Sequence, residues 1–272
     1  AKPVSTMGNS CHPCRFSTIK ISVPPTLVEN DKTNKSLPEG ALPRRNGSLG
    51  LSDCGFEYRQ VSANTSSDEE DELPETRLFH KTTGVMISSA NRSTYISDGA
   101  FFDEVVTCCQ QVAQERLQAL YGLEWMELFT LDGESIYALA SPNYVKNPSS
   151  TNPIFMVFTG KGKSRAGILS VRELLLSGLE RGSAMYHIHQ AIKRDWKVIV
   201  LDPNARGKMK GHHLIRQSLD HLDWSGHAPI YILSHSAAGG YLVHYLLAGE
   251  HRLELLSRIQ GLVFTDSTHS IQ

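Results

Sequence analysis

The spacing of apolar and polar positions divides the chain near residue 97. Residues 1–97 carry little periodic apolar pattern and are rich in Ser, Asn, Thr, Pro and Gly. Such a composition buries too little apolar surface to offset the entropy of ordering. The expectation is a largely disordered head, with parts of 77–97 (Leu78, Phe79, Val85, Met86, Ile87, Tyr95, Ile96) docking on the domain that follows. From Asp98 the pattern changes. Phe101, Phe102, Val105, Val106, Cys109, Val112, Ala113, Leu117 and Leu120 recur at helical spacing. Asp103 and Glu104 lie in the first turn of that helix, and Gly122 ends it. Segments 123–131 and 134–141 flank Asp132-Gly133, a strong hairpin signal. Four apolar runs, 154–159, 196–201, 229–233 and 261–265, read as buried strands. Helical patterns over roughly 166–177, 184–194, 211–222 and 239–258 alternate with them. A hairpin followed by alternating strands and helices predicts an α/β domain over 98–272 with a doubly wound, mostly parallel sheet.

Ligands bind such sheets at the carboxyl ends of strands, and the chemistry-bearing residues gather there. Ser234-His235-Ser236-Ala237-Ala238-Gly239-Gly240 follows the third apolar run and precedes a helical stretch. Strand, small-residue turn with a central Ser, then helix is the layout of a nucleophile elbow. Ser234 and Ala238 stand where the strict pattern has two glycines, and both are small enough for the turn. The alternative is a glycine-containing helix start with an incidental serine. As an elbow, the turn makes Ser236 the nucleophile. The backbone N–H of Ala237 is then one oxyanion donor, and Gly160 or Lys161, in Thr159-Gly160-Lys161-Gly162, supplies the other. Asp266 follows the last strand, where an acid orients a histidine or simply closes a turn. Asp202, in Leu201-Asp202-Pro203-Asn204, reads as a loop-capping residue. His235 adjoins the nucleophile with a diverging side chain; the candidate base is either His269, three residues past Asp266, or a histidine beyond residue 272. In hydrolases of this architecture the histidine follows a later strand, so the chain reads as a C-terminally truncated piece.

Composition narrows the classes. A net charge of −1 gives no bulk attraction to nucleic acid or to an anionic membrane. The uncharged stretch 228–249 has the length of a membrane span, but its Ser, His and Gly residues fit a buried strand and helix better. Cys11-His12-Pro13-Cys14 is a C-x-x-C without a second ligand pair, so it does not predict zinc, and the five cysteines predict no disulfide framework. The acidic run Ser66-Ser67-Asp68-Glu69-Glu70-Asp71-Glu72 suits acid-directed phosphorylation or is a solvated linker. Gly162-Lys163-Ser164 sits between strand and helix as a P-loop does, but Val157 replaces the glycine that a phosphate cradle requires. Lys161, Lys163 and Arg165 then form either a basic rim for an anion or RNA phosphate, or a solvated loop. His187 with His189, and His212 with His213, project apart at their helical spacing. No metal and no cofactor are expected.

Several segments, in order, resemble the Arb-two (Argonaute-binding) domain family and the animal cotranscriptional regulators built around it. They are Leu123-Glu124-Trp125, Met156 to Gly162, Arg165-Ala166-Gly167, Trp196 to Asn204, His235 to Gly240 and Thr265-Asp266-Ser267-Thr268-His269. The resemblance implies an α/β-hydrolase-like fold and a nuclear adaptor. It would be Argonaute- or chromatin-associated, with small RNA as an indirect partner, in heterochromatin silencing or cotranscriptional regulation. Ser236 matches the family's nucleophile position and Asp266 its strand-end acid. Thr159 stands where relatives tend to have His, and Ala238 where they have Gly. The alternative function is a serine esterase acting through Ser236.

Overall fold

A computed structural model describes residues 50–61, 73–147, 149–205 and 211–267. Along the chain, β1 (Phe56–Gln60), β2 (Thr76–His80), α1 (Arg92–Tyr95) and α2 (Ala100–Tyr121) lead into β3 (Glu124–Leu131), β4 (Glu134–Ala140) and α3 (Pro142–Lys146). Then come β5 (Ile154–Phe158), α4 (Val171–Leu176), α5 (Leu179–Gly182), α6 (Met185–Lys193), β6 (Lys197–Leu201) and α7 (Gly211–Asp220). The last described elements are β7 (Ile230–His235), α8 (Ala237–Ala248), α9 (Arg252–Arg258) and β8 (Ile259–Thr265).

Six strands form one sheet in the order β3-β4-β6-β5-β7-β8. β4 runs antiparallel to both its neighbours, and the pairs β6-β5, β5-β7 and β7-β8 are parallel. This is the doubly wound, mostly parallel α/β sheet expected from the alternation of strands and helices. Local chemistry sets its parts. Asp132 and Gly133 both take positive φ (49° and 78°), as the tight β3–β4 turn requires. α2 ends on Gly122 in the left-handed conformation and buries Val105, Val106, Cys109, Ala113 and Leu117 along one face. Every residue of β6 is buried, because a central parallel strand is covered on both sides.

Alternate residues of the strands feed two cores. Leu139, Val157, Val198, Val200 and Leu233 pack with residues of α2, α4, α5 and α6. Ala138, Met156, Phe158, Ile199, Leu201 and Ile232 pack on the opposite face with Ile215, Leu219, Leu242, Tyr245 and Leu255.

Three elements depart from the periodicity. The packed region begins ahead of Asp98: β1 and β2 pair antiparallel, and Leu51, Phe56, Leu78, Ile87 and Ile96 belong to the first core. Residues 1–49 and 62–72, including the C-x-x-C pair and the acidic run, lie outside the described residues. The helix expected over 166–177 is confined to α4, where the Ser170 side chain caps the Glu173 N–H at 3.2 Å. The helix expected over 239–258 divides at Gly249. There the backbone turns extended, and any Cβ would press on the Tyr245 ring. No described helix is long and apolar enough to cross a membrane.

Candidate functional site at the strand ends

β7 delivers Ser236 to the carboxyl edge of the sheet, and α8 begins at the next residue. Ser236 has φ 55° and ψ −132°, a conformation that a residue bearing a Cβ adopts at a cost of about 1–3 kcal/mol. Its N–H donates to the Thr265 carbonyl at 2.9 Å, which ties the elbow to the end of β8. Ala237 is the first residue of α8, so its N–H has no acceptor within the helix. Gly160 comes close: a Cβ there would stand 2.8 Å from Ser236 Cβ and 3.2 Å from its Oγ. The Gly160 backbone therefore lies directly against the Ser236 side chain. Lys161 is exposed on the same loop.

A side-chain network holds that loop. Arg165 Nε donates to Asp202 Oδ2 at 2.8 Å, and Asp202 Oδ1 accepts the Asn204 N–H at 2.8 Å. Asn204 Nδ2 donates to the carbonyls of Gly160 (2.7 Å) and Ser164 (2.6 Å), while its Oδ1 accepts the Gly162 N–H at 3.1 Å. From α2, Gln110 accepts the Arg165 N–H at 2.8 Å, and Gln114 donates to the Ala166 carbonyl at 3.1 Å. Asp202 is the loop-capping residue expected, with a buried ion pair in addition. Neither Asn204 nor Gln110 was singled out by spacing. Asn204 has only its place after the second apolar run as a signal, and Gln110, within α2, has none. Two cations of the basic rim are paired, Arg165 with Asp202 and Lys163 with Asp103 on α2 at 2.6 Å, while Lys161 stays exposed.

Asp266 is exposed and has φ 47° at the end of β8. Its carboxylate acts on His235, whose Nδ1 is 3.0 Å from the Thr265 hydroxyl. Among the described residues none hydrogen-bonds to Ser236 Oγ. His269 lies outside them. Thr159 Oγ1 and Ser234 Oγ are buried without hydrogen-bond partners among the described residues. No group of three or more metal-ligating side chains gathers among the described residues.

Burial lowers the His235 pKa from 6.5, against the opposing pull of the Asp266 charge and the Thr265 backbone hydrogen bond. Below pH 6.5 the unfolded chain then binds the proton more readily than the native one. This histidine's contribution is therefore lost as pH falls from about 6.5 through its lower native value. Urea midpoints measured between pH 7.5 and 5.5 are expected to drop less steeply in His235→Asn than in the parent. Equal slopes would mean that His235 titrates alike in both states.

No family model matches the chain, and no curated protein matches it. Among solved structures, a histone deacetylase from Saccharomyces cerevisiae is similar, with 16% sequence identity and a TM-score of 0.38 over 61% of this chain and 69% of that chain.

Proposed function

We propose that the chain is a nuclear adaptor whose α/β-hydrolase-like domain engages Argonaute or chromatin-associated proteins. It would act in small-RNA-directed silencing or cotranscriptional regulation. One observation carries this reading. The polar side chains of the segments that resemble the Arb-two family bond to each other at the strand ends. Arg165 holds Asp202, Asn204 holds the Gly160 loop, and His235 meets Thr265. Groups arranged in this way fix the shape of a surface, which suits recognition of a protein partner.

The test is immunoprecipitation of the full-length protein from native nuclear extract, with and without ribonuclease, probed for Argonaute. Recovery that survives ribonuclease supports a protein-mediated contact. Recovery only with RNA intact makes the association indirect. Repeated absence of Argonaute and of chromatin proteins removes the reading.

Serine hydrolysis is the second reading, favoured by the strained Ser236 backbone and the adjoining Ala237 N–H. Fluorophosphonate labelling of the folded full-length protein that disappears in Ser236→Ala would put this reading first. Absence of labelling would leave Ser236 as a structural elbow.

A further inference from the structure

A cavity of about 540 Å3 opens between α1, the first turn of α2 and α4, and shares no lining residue with the Ser236 elbow. Phe102, Val171, Leu175 and Leu176 give it an apolar floor, and Arg92 and Arg172 stand at its rim. Pockets of roughly 300–1,000 Å3 with an apolar lining and a few convergent polar groups are the usual form of ligand sites. The Arg92 guanidinium lies 5.3 Å from the Phe102 ring centroid and donates to Asp98 Oδ1 at 2.9 Å. Asp98 is 84% exposed, so this pair is a surface one that another carboxylate can replace at little loss. Arg172 is exposed, and no described residue pairs with it.

The two cations come from α1 and α4 and line the same cavity as the apolar residues. A ligand that carries carboxylates beside a bulky apolar group matches both the cations and the floor. A peptide with acids around a Phe or Leu carries all of these groups in one segment. We propose that this cavity docks a short acidic segment of a partner protein. Its aromatic or aliphatic side chain fills the floor, one carboxylate takes the place of Asp98 on Arg92, and another reaches Arg172. The proposal is independent of the reading of the elbow.

Fluorescence anisotropy with the full chain and a fluorescein-labelled peptide Gly-Glu-Asp-Phe-Asp-Glu-Gly tests it. Saturable binding is expected. It should weaken about tenfold or more in Arg172→Glu, weaken likewise in Arg92→Met, and fall as salt is raised from about 50 to about 300 mM. Arg172 is exposed, so its variant keeps the fold, and an unchanged melting temperature verifies this. Four outcomes would overturn the proposal. They are no saturable binding, equal binding by the Gly-Gln-Asn-Phe-Asn-Gln-Gly isostere, unchanged affinity in Arg172→Glu, and phenylacetate binding as tightly as the peptide. The last would reassign the cavity to small carboxylates.

Discussion

Asp202→Ala is expected to destabilise the domain by about 3–5 kcal/mol, because it leaves the Arg165 guanidinium in a water-poor setting without its counter-charge. The Asp202 side chain is only 2% exposed and that of Arg165 16%, so solvent cannot take over. The same carboxylate caps Asn204, whose amide holds the Gly160 and Ser164 carbonyls. The loss therefore loosens the wall facing Ser236 as well. Urea unfolding of Asp202→Ala, beside the double variant Arg165→Met/Asp202→Leu, separates the causes. An apolar pair of similar volume removes the stranded charge, so the double variant should regain at least half of the loss. A single variant within about 1 kcal/mol of the parent would mean that the pair is effectively solvated. A double variant as unstable as the sum of its parts would mean that the two groups are not coupled.

That ion pair also marks where sequence reading stops. The central strands were legible because burial on both faces forces continuous apolar runs, as in Met156-Val157-Phe158 and Val198 to Leu201. The elbow was legible because strand, small turn and helix are consecutive. Ser234 and His235 were left off the strand by polarity. Yet β7 extends through both, because Ser234 pairs with Phe158 on one side and Phe264 on the other, and ladder bonds are indifferent to side-chain type. Arg165 and Asp202 lie on separate loops 37 positions apart, and no periodicity relates two such residues. The β1–β2 pair escaped for a similar reason. Phe56, Tyr58 and Leu78 share a face of the ribbon, but the strands are far further apart in sequence than the two to five residues of an ordinary hairpin loop. The alternation in Phe56-Glu57-Tyr58-Arg59 is the one local signal that would have pointed there.

Gly178→Ala is expected to be the most damaging single-methyl change in this region, at about 3 kcal/mol or more. Gly178 has φ 98° and ψ 177°, a conformation essentially closed to residues with a Cβ. The added methyl would also collide with the Thr76 carbonyl oxygen. Thr76 cannot retreat: its N–H and hydroxyl both bond to the Glu180 carboxylate, at 2.8 Å to Oε2 for the N–H. The neighbouring Arg77 donates to the Leu176 carbonyl at 2.9 Å, and Tyr58 to the Leu174 carbonyl at 2.8 Å. These contacts fasten the β1–β2 ribbon to α4 and α5, so the strain should be relieved by undocking the ribbon. Hydrogen exchange is expected to show the amides of β1 and β2 losing protection while β5, β6 and β7 keep theirs. Gly133→Ala is the control: φ is 78° there too, but no atom lies within 4 Å of the new methyl. It should lose only the backbone term, about 1–2 kcal/mol. Should Gly178→Ala prove no worse than that control, or the ribbon amides stay protected, the docking contacts would be yielding rather than rigid. The packed first core would then not depend on how closely Thr76 approaches the α4–α5 turn.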